Sequence, residues 1–563
     1  MFRCVRACLL VFLFVSLSFG GFAATIGSPN TVTADPPVSR PSTTPCIVQL
    51  FQNTAFADFT PKTFSFAAPS ACPGPWAKVI FDVDMSVTAG RQFDRTMNVW
   101  LGGANIYFGT TAEPGRTVSP QWHVERDLTE YSALFNSASS GEADLGNVVN
   151  STYTGILYGT AQLEFYPADK SNRAPKAADQ VLPLASGPTG ETVALFTAAN
   201  QLAQTFTLPT NIERAYLDVY AQSQSSDEFW YTCVPNDVAG LLQSCPGTAF
   251  RETEVSIDGV PAGVAPVYPW IYTGGIDPYL WRPIPGVETL DFRPYRVDLS
   301  PFAGVLSNGQ PHVVALNVYN ADSYFSATAN LLVYLDHGSS SVSGDVTVNT
   351  LASGPTPVVT ENLVTDASGN ITGSVATTSA RHFQISGYAN TSHGKVTTTV
   401  TQNLRFSNKQ NFDVTASAYK QYITQTTGIT STTTVAGGSE GGSQGEDTRS
   451  SAESQAWPLS VKIDLEFRPN GTISQYTAIQ QTSNRSEVAA GGDDDGAATS
   501  SVANSVKAAD TLVFDSSFNL ISHKGQKSSQ SYFSQDSKGN CYSETLTAAN
   551  DLLASVTDGV GCK

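Results

Sequence analysis

The chain has 563 residues, more than a single hydrophobic core organises, so several domains are expected. Hydrophobic residues make up 41% and charged residues only 14%, so much of the polar surface must be Ser, Thr, Asn, Gln and Gly, as in turn-rich β-sandwiches. Lys+Arg number 31 against Asp+Glu 49, a net charge of -18 that argues against nucleic acid or anionic lipid as partners.

Arg3 and Arg6 precede the apolar run Leu9 to Phe19, and small residues follow at Ala23-Ala24. This reads as a signal peptide over residues 1–24 and predicts a secreted or periplasmic protein. The run is short for a membrane span of about 20 residues, and no other segment is apolar enough to cross, so no membrane contact is expected after cleavage. Cys4 and Cys8 leave with the signal. The remaining six fall into local pairs, which suggests Cys46–Cys72, Cys233–Cys245 and Cys541–Cys562 in an oxidising compartment. Six cysteines allow 15 pairings, and buried free thiols are the alternative.

Residues 25–45, rich in Pro, Ser and Thr, read as a flexible leader. A first β block covers 46–167; within it Val79, Phe81, Val83, Met85 and Val87 alternate with polar residues, the period of a half-buried strand. Residues 168–190 lack period and read as a linker. A second β block covers 191–337, with alternating runs at 215–221, 314–318 and 331–335. Its aromatic, Pro- and Gly-rich stretch from Tyr268 to Pro283 reads as a long functional loop. A β-rich C-terminal domain covers 340–563. There the alternating run 459–467, followed by Pro469-Asn470-Gly471, predicts a hairpin. Residues 434–454 and 488–500 are low in apolar content and read as flexible. No helix is expected beyond the signal, so the fold class is all-β.

G-x-S-x-G, P-loop, H-E-x-x-H and paired C-x-x-C motifs are absent, and the six histidines are scattered, so no metal centre or cofactor is expected. Asp493-Asp494-Asp495 reads as a solvated acidic loop rather than a calcium site. Catalysis, if any, should rest on carboxylates with Arg and aromatic support. Asp94 can act as base or nucleophile, with Arg95 holding it ionised and binding polar substrate groups. On residue type and spacing alone, a strand-end ion pair explains Asp94-Arg95 better. Arg251 and Glu252 point to opposite faces of a strand, and Glu252 shares its face with Glu254; a solvated strand face is the competing explanation. Glu113 and Glu228 are weaker candidates. Trp230, Trp281 and Arg282 suit sugar binding, with core burial of the tryptophans equally open.

Several ordered segments resemble one family. They are Phe93-Asp94-Arg95 with Val99-Trp100-Leu101-Gly102-Gly103; Thr111-Ala112-Glu113-Pro114; Asp127-Leu128-Thr129-Glu130-Tyr131; Phe250-Arg251-Glu252 with Val255-Ser256-Ile257-Asp258-Gly259; and Tyr272-Thr273-Gly274-Gly275-Ile276 with Trp281-Arg282-Pro283. Together they resemble the peptide:N-glycanase A type and its acid-active bacterial relatives across residues 46–337, and more distantly the F type. The resemblance implies two side-by-side eight-stranded jelly rolls with the site at their junction, followed here by the extra β-rich domain. It implies hydrolysis of the Asn–GlcNAc β-amide of N-glycosylated peptides and proteins, with no cofactor, by a monomer. Asp94 matches the F type's principal carboxylate. The place of a supporting Glu before the Phe-Arg pair is taken by Gly247, so Glu252 is the proposed substitute and Glu228 the reserve. Glu252 would then protonate the leaving group, and Arg251 or Arg95 would steady the oxyanion; Glu113, Trp230, Trp281 and Arg282 would bind substrate. The alternatives are an endo-type glycoside hydrolase on N-glycans and a non-catalytic glycan-binding β-sandwich.

Overall fold

The computed structural model describes residues 24–438, 448–490 and 497–562. The expected signal peptide (except Ala24) and the Asp493–Asp495 run lie outside the described residues. Among those described, helices are confined to short 3-10 segments and single α turns, and none is long and apolar enough to cross a membrane.

Three β bodies follow one another. In the first, the sheet Cys46–Phe56, Leu157–Pro167, Trp76–Val87, Gln121–Asp127 faces the sheet Lys62–Phe66, Ser139–Asp144, Thr96–Leu101, Ala104–Thr110. Numbered within the body, these are strands 1-8-3-6 over 2-7-4-5, the jelly-roll order. Phe81, Val83 and Leu163 from one sheet and Val99, Leu101 and Ile106 from the other bury against each other between them. The second body repeats that order. Val193–Leu195, Tyr324–Leu335, Ile212–Gln224 and Tyr295–Asp298 form one sheet; Leu202–Thr207, Pro311–Tyr319, Glu252–Ile257 and Val260–Pro266 form the other. An added strand, Gln180–Pro183, pairs with Tyr324–Leu335. It lies within the stretch read as a linker: Val181 and Leu182 are apolar enough to add to a sheet, but the run is too short to show a period.

The third body is a single 11-stranded antiparallel sheet, whose strands from Ile371–Thr391 onward follow chain order. Its two longest strands, Ile371–Thr391 and Gly394–Val414, have 21 residues each. The hairpin at Pro469-Asn470-Gly471 forms, pairing Phe467 with Ile473. One face of this sheet packs on the second sandwich and shares its core, through Leu404, Phe406, Trp457, Leu459 and Val461. Where that face meets loops rather than side chains it carries amides. The expected flexible stretches are instead partly strand: Ala436 pairs with Thr448, and Ala489 with Ala498. Serine, threonine and alanine lack an apolar signal, yet the backbone ladder needs none.

The leader is also ordered where it was expected to be loose. Gly27 N–H donates to Leu553 O (2.8 Å), Thr31 N–H to Gln121 O (3.0 Å), Val32 N–H to Pro283 O (3.0 Å) and Ala34 N–H to Gln530 Oε1 (2.7 Å). Arg40 pairs with Glu125 at 2.7 Å and Glu164 at 3.1 Å. The segment is thus a strap stitched to all three bodies. Its prolines suit an extended path whose hydrogen bonds go to neighbours rather than to itself.

The three disulfides are Cys46–Cys72, Cys233–Cys245 and Cys541–Cys562, as their proximity suggested.

Candidate active site

The loop after Val260–Pro266 leaves the second sandwich and crosses to the first. Tyr107 Oη donates to Leu290 O at 2.5 Å, Thr110 N–H to Thr289 O at 3.0 Å, and Thr273 Oγ1 to Thr111 O at 2.6 Å. Its turn at Gly274-Gly275 lies between three carboxylates. Asp94 comes from the segment entering Thr96–Leu101, Glu113 from the loop leaving Ala104–Thr110, and Glu228 from the 3-10 turn after Ile212–Gln224.

A Cβ on Gly274 would lie 2.5 Å from Asp94 Oδ1 and 2.7 Å from Glu113 Oε2, and one on Gly275 would lie 3.3 Å from Glu228 Oε1. Only glycine lets this backbone approach the acids so closely. The Gly274 N–H faces the Asp94 carboxylate and the Asp94 N–H faces the Glu113 carboxylate, each favouring the charged form. All three acids are half-buried, so each keeps a path to solvent.

Burial raises the Asp94 pKa, opposed by the Gly274 N–H and the Arg95 charge. Glu113 is pushed up to about 7, first by burial and then by the Asp94 charge. Glu228 rises to about 8 by burial, then by Asp94 and Glu113. Asp94 and Glu113 each have a backbone N–H and a guanidinium nearby. Burial is the only influence raising Asp94, whereas the Asp94 charge also raises Glu113 and Glu228, so Asp94 takes the negative charge while Glu113 and Glu228 keep their protons below about 7 and 8. One anion beside two neutral acids combines a base and proton donors in one site.

Cations flank the cluster. Arg282 Nε donates to Glu113 O at 2.9 Å, its Nη2 lies 3.9 Å from Glu113 Oε1, and it stacks on Tyr279. Arg95 donates to Gln92 Oε1 at 3.2 Å and lies over the ring of Phe93.

Other expected site residues lie elsewhere. Glu252 is buried against the C-terminal sheet, bonded to Arg381, which also reaches Glu254 at 3.4 Å. It does share a face with Glu254, but that face is closed by an arginine from another body, so Glu252 does not meet Asp94. Burial raises it to about 7, with Arg381 opposing. Arg251 is buried too, and its Nε and Nη2 donate to Asp227 Oδ1 at 3.1 and 2.9 Å. The other Asp227 oxygen accepts from the N–H groups of Asp322 (2.9 Å) and Ser323 (2.8 Å). Arg251 therefore anchors the turn that presents Glu228 and is not free for an oxyanion. Trp230 is fully buried against Phe406 and cannot stack on a sugar. Trp281 is buried as well, and its indole N–H donates to Gly275 O at 2.9 Å, fixing the glycine turn.

Sequence reasoning assigned no role to Gly274, Asp227 or the amides of the C-terminal sheet. Asn408 Nδ2 donates to Tyr231 O (2.9 Å), Gln421 Nε2 to Thr232 O (3.0 Å) and Gln410 Nε2 to Cys233 O (2.8 Å). Gln481 donates to Pro269 O and Gln526 to Arg282 O, at 2.8 and 2.7 Å. These bonds hold the two segments that carry Glu228 and Gly274. Their only sequence signal is polar residues at inward positions of alternating strands.

Among the described residues, two groups set three potential metal ligands within 4.8 Å: Asp82–His123–Glu125 and Glu213–Asp336–His393. In the first, the Arg40 Nη2 lies 2.7 Å from Glu125 and 3.8 Å from Asp82, so a guanidinium already supplies the positive charge. In the second, Lys176 pairs with Glu213, and Ser392 donates to both oxygens of Asp336. Neither belongs to the Asp94 cluster.

Fold and site together define an all-β protein with an acid–base carboxylate cluster at the junction of two jelly rolls. The family described as "Peptide N-acetyl-beta-D-glucosaminyl asparaginase amidase A" matches residues 34–352. Peptide-N4-(N-acetyl-beta-glucosaminyl)asparagine amidase A of Prunus dulcis is 33% identical over 399 residues, 66% of this chain and 67% of that protein. The chain belongs to this amidase A family. Among solved structures, PNGF-II is similar at 12% identity and a TM-score of 0.37, over 52% of this chain and 65% of that one. PNGase F of Flavobacterium meningosepticum is similar at 14% identity and a TM-score of 0.35, over 52% of this chain and 96% of that one.

Proposed function

We propose that the chain hydrolyses the β-amide between asparagine and N-acetylglucosamine in N-glycopeptides and N-glycoproteins, using Asp94, Glu113 and Glu228. The convergence of these three acids on Gly274-Gly275, in a chain of the amidase A family, carries the reading. The Asp94 carboxylate takes a proton from water as the water oxygen attacks the amide carbon. Arg95 and Arg282 offset the charge that develops on the carbonyl oxygen. Protonated Glu228 gives a proton to the departing nitrogen as the C–N bond breaks. The products are an aspartyl peptide and a 1-amino glycan, which loses ammonia in water.

The cycle needs Asp94 ionised and Glu228 protonated. Activity therefore rises as Asp94 loses its proton and falls as Glu228 loses its own near 8. This supports an acidic to neutral optimum. The apolar, basic N-terminus and the three disulfides support action outside the cytoplasm, on the secreted or periplasmic side.

The test is a kinetic pH profile of kcat on a defined glycopeptide for the wild type and Glu228→Gln. The wild type should show a falling limb near pH 8, and the variant should lose about a hundredfold in kcat. An unchanged kcat in the variant would remove Glu228 from the reaction.

A further inference from the structure

The outer face of the C-terminal sheet takes no part in this chemistry. It is the side opposite the amides that hold the active-site loops. A trough of about 800 Å³ runs across it. The trough is walled by strands that include Ala418–Ala436, Thr448–Phe467, Ile473–Ala490, Ala498–Phe514 and Leu520–Asp536.

Cross-strand register sets Ser460, Gln480, Lys507 and Ser529 in one row, and Lys462, Ala478 and Lys527 in the next. The wall holds three lysines and no Asp or Glu, in a chain with 49 acids and 31 basic residues. Lys507 and Lys527 are exposed, and no described carboxylate lies within ion-pair distance of either; Lys462 has Asp464 at 3.1 Å. Neighbouring strands are about 4.8 Å apart and residues rise about 3.4 Å each, so Lys507 and Lys527 root about 8 Å apart and Lys462 about 12–14 Å from them. Small neighbours leave them reachable, with hydroxyls and an amide between.

Repeated positive charge among hydrogen-bonding groups fits a polymer of repeated negative charge that is rich in hydroxyls. Single-stranded nucleic acid would want free aromatic faces for its bases. The Tyr422 ring at the trough's edge is already covered by Lys462 Nζ, 5.0 Å from its centroid. The glycan being cleaved is not the occupant, because the trough and the Gly274 turn lie on opposite sides of the sheet.

We propose that this trough docks a carboxylated polysaccharide, separately from the amidase site. Net charge of -18 repels polyanions over the rest of the molecule, so any retention must come from such a local patch. The experiment is affinity electrophoresis of the full chain in gels containing polygalacturonate, its methyl ester, or single-stranded DNA of matched charge. Polygalacturonate should retard the wild type, and the ester should not. The double variant Lys507→Glu/Lys527→Glu should bind at least about tenfold more weakly, with its glycopeptide turnover unchanged. Both positions are exposed, so folding is preserved, and circular dichroism verifies it. An unretarded wild type, or a variant retarded as strongly, overturns the proposal. Equal retardation by the DNA overturns the saccharide assignment. None of these outcomes depends on the amidase reading.

Discussion

Glu228, half-buried, and Glu252, buried, both have raised pKa values, yet their neighbours assign them different work. Glu228 faces two other acids and a glycine turn; Glu252 faces Arg381. Glu252→Gln should leave kcat within about twofold while costing about 2 kcal/mol of stability, because Arg381 loses its nearest charge but keeps an amide acceptor, Glu254 and the Ala352 carbonyl. Thermal melting alongside turnover checks this; a large kcat loss with an unchanged melt would return Glu252 to the chemistry. Gly274→Ala is the complementary case. Its Cβ would press on Asp94 Oδ1 and Glu113 Oε2, so kcat should drop about a hundredfold with little change in the melting curve. Asp94 was legible in the sequence because its Asp-Arg pair stands at a strand edge within a family pattern. Glu113 and Glu228 were legible only as residue types. Their meeting depends on packing between two sandwiches, which no local period reports.

At the scale of elements, the turn carrying Glu228 is set by a chain of contacts from Arg251 through Asp227. Arg251→Met removes the guanidinium and leaves Asp227 buried without its partner. It should destabilise the fold by about 3–5 kcal/mol and lower kcat in the surviving folded fraction. Denaturant unfolding with active-site normalisation separates the two effects. The strands were readable wherever apolar residues alternate, as at 79–87 and 459–467. The leader and the Ser/Thr-rich strand ends were not, because what orders them is backbone hydrogen bonding to distant partners. Glu252 was misplaced for a related reason: Arg381 belongs to a body whose packing the sequence does not announce.

For the whole molecule, proton uptake between about pH 5 and 8 runs one way, since the lowered acids such as Glu125, at about 2, titrate below that window. Asp82, Glu113, Glu252 and Glu288 are raised to about 7, and Glu228 and Asp510 to about 8, each chiefly by burial. The folded chain keeps protons that the unfolded chain releases near pH 4, so stability falls as pH rises from about 5 to 8. His123, raised to about 10 by Asp84 and Glu125 against burial, adds to the same trend, since its stabilisation is lost as pH climbs above about 6.5. Calorimetry should show a melting midpoint several degrees lower at pH 8 than at pH 5.5; a rising midpoint would contradict the burial of these acids. Three bodies, a strap and interfacial amides make the molecule one unit, and that unit holds the cluster.

The most direct test is the mass of the peptide left after incubation with a defined N-glycopeptide, for the wild type and Asp94→Asn. The wild type should yield a peptide about one dalton heavier than its Asn form, because hydrolysis turns Asn into Asp, and Asp94→Asn should yield almost none. A peptide still carrying one N-acetylglucosamine, or full conversion by Asp94→Asn, would contradict the account.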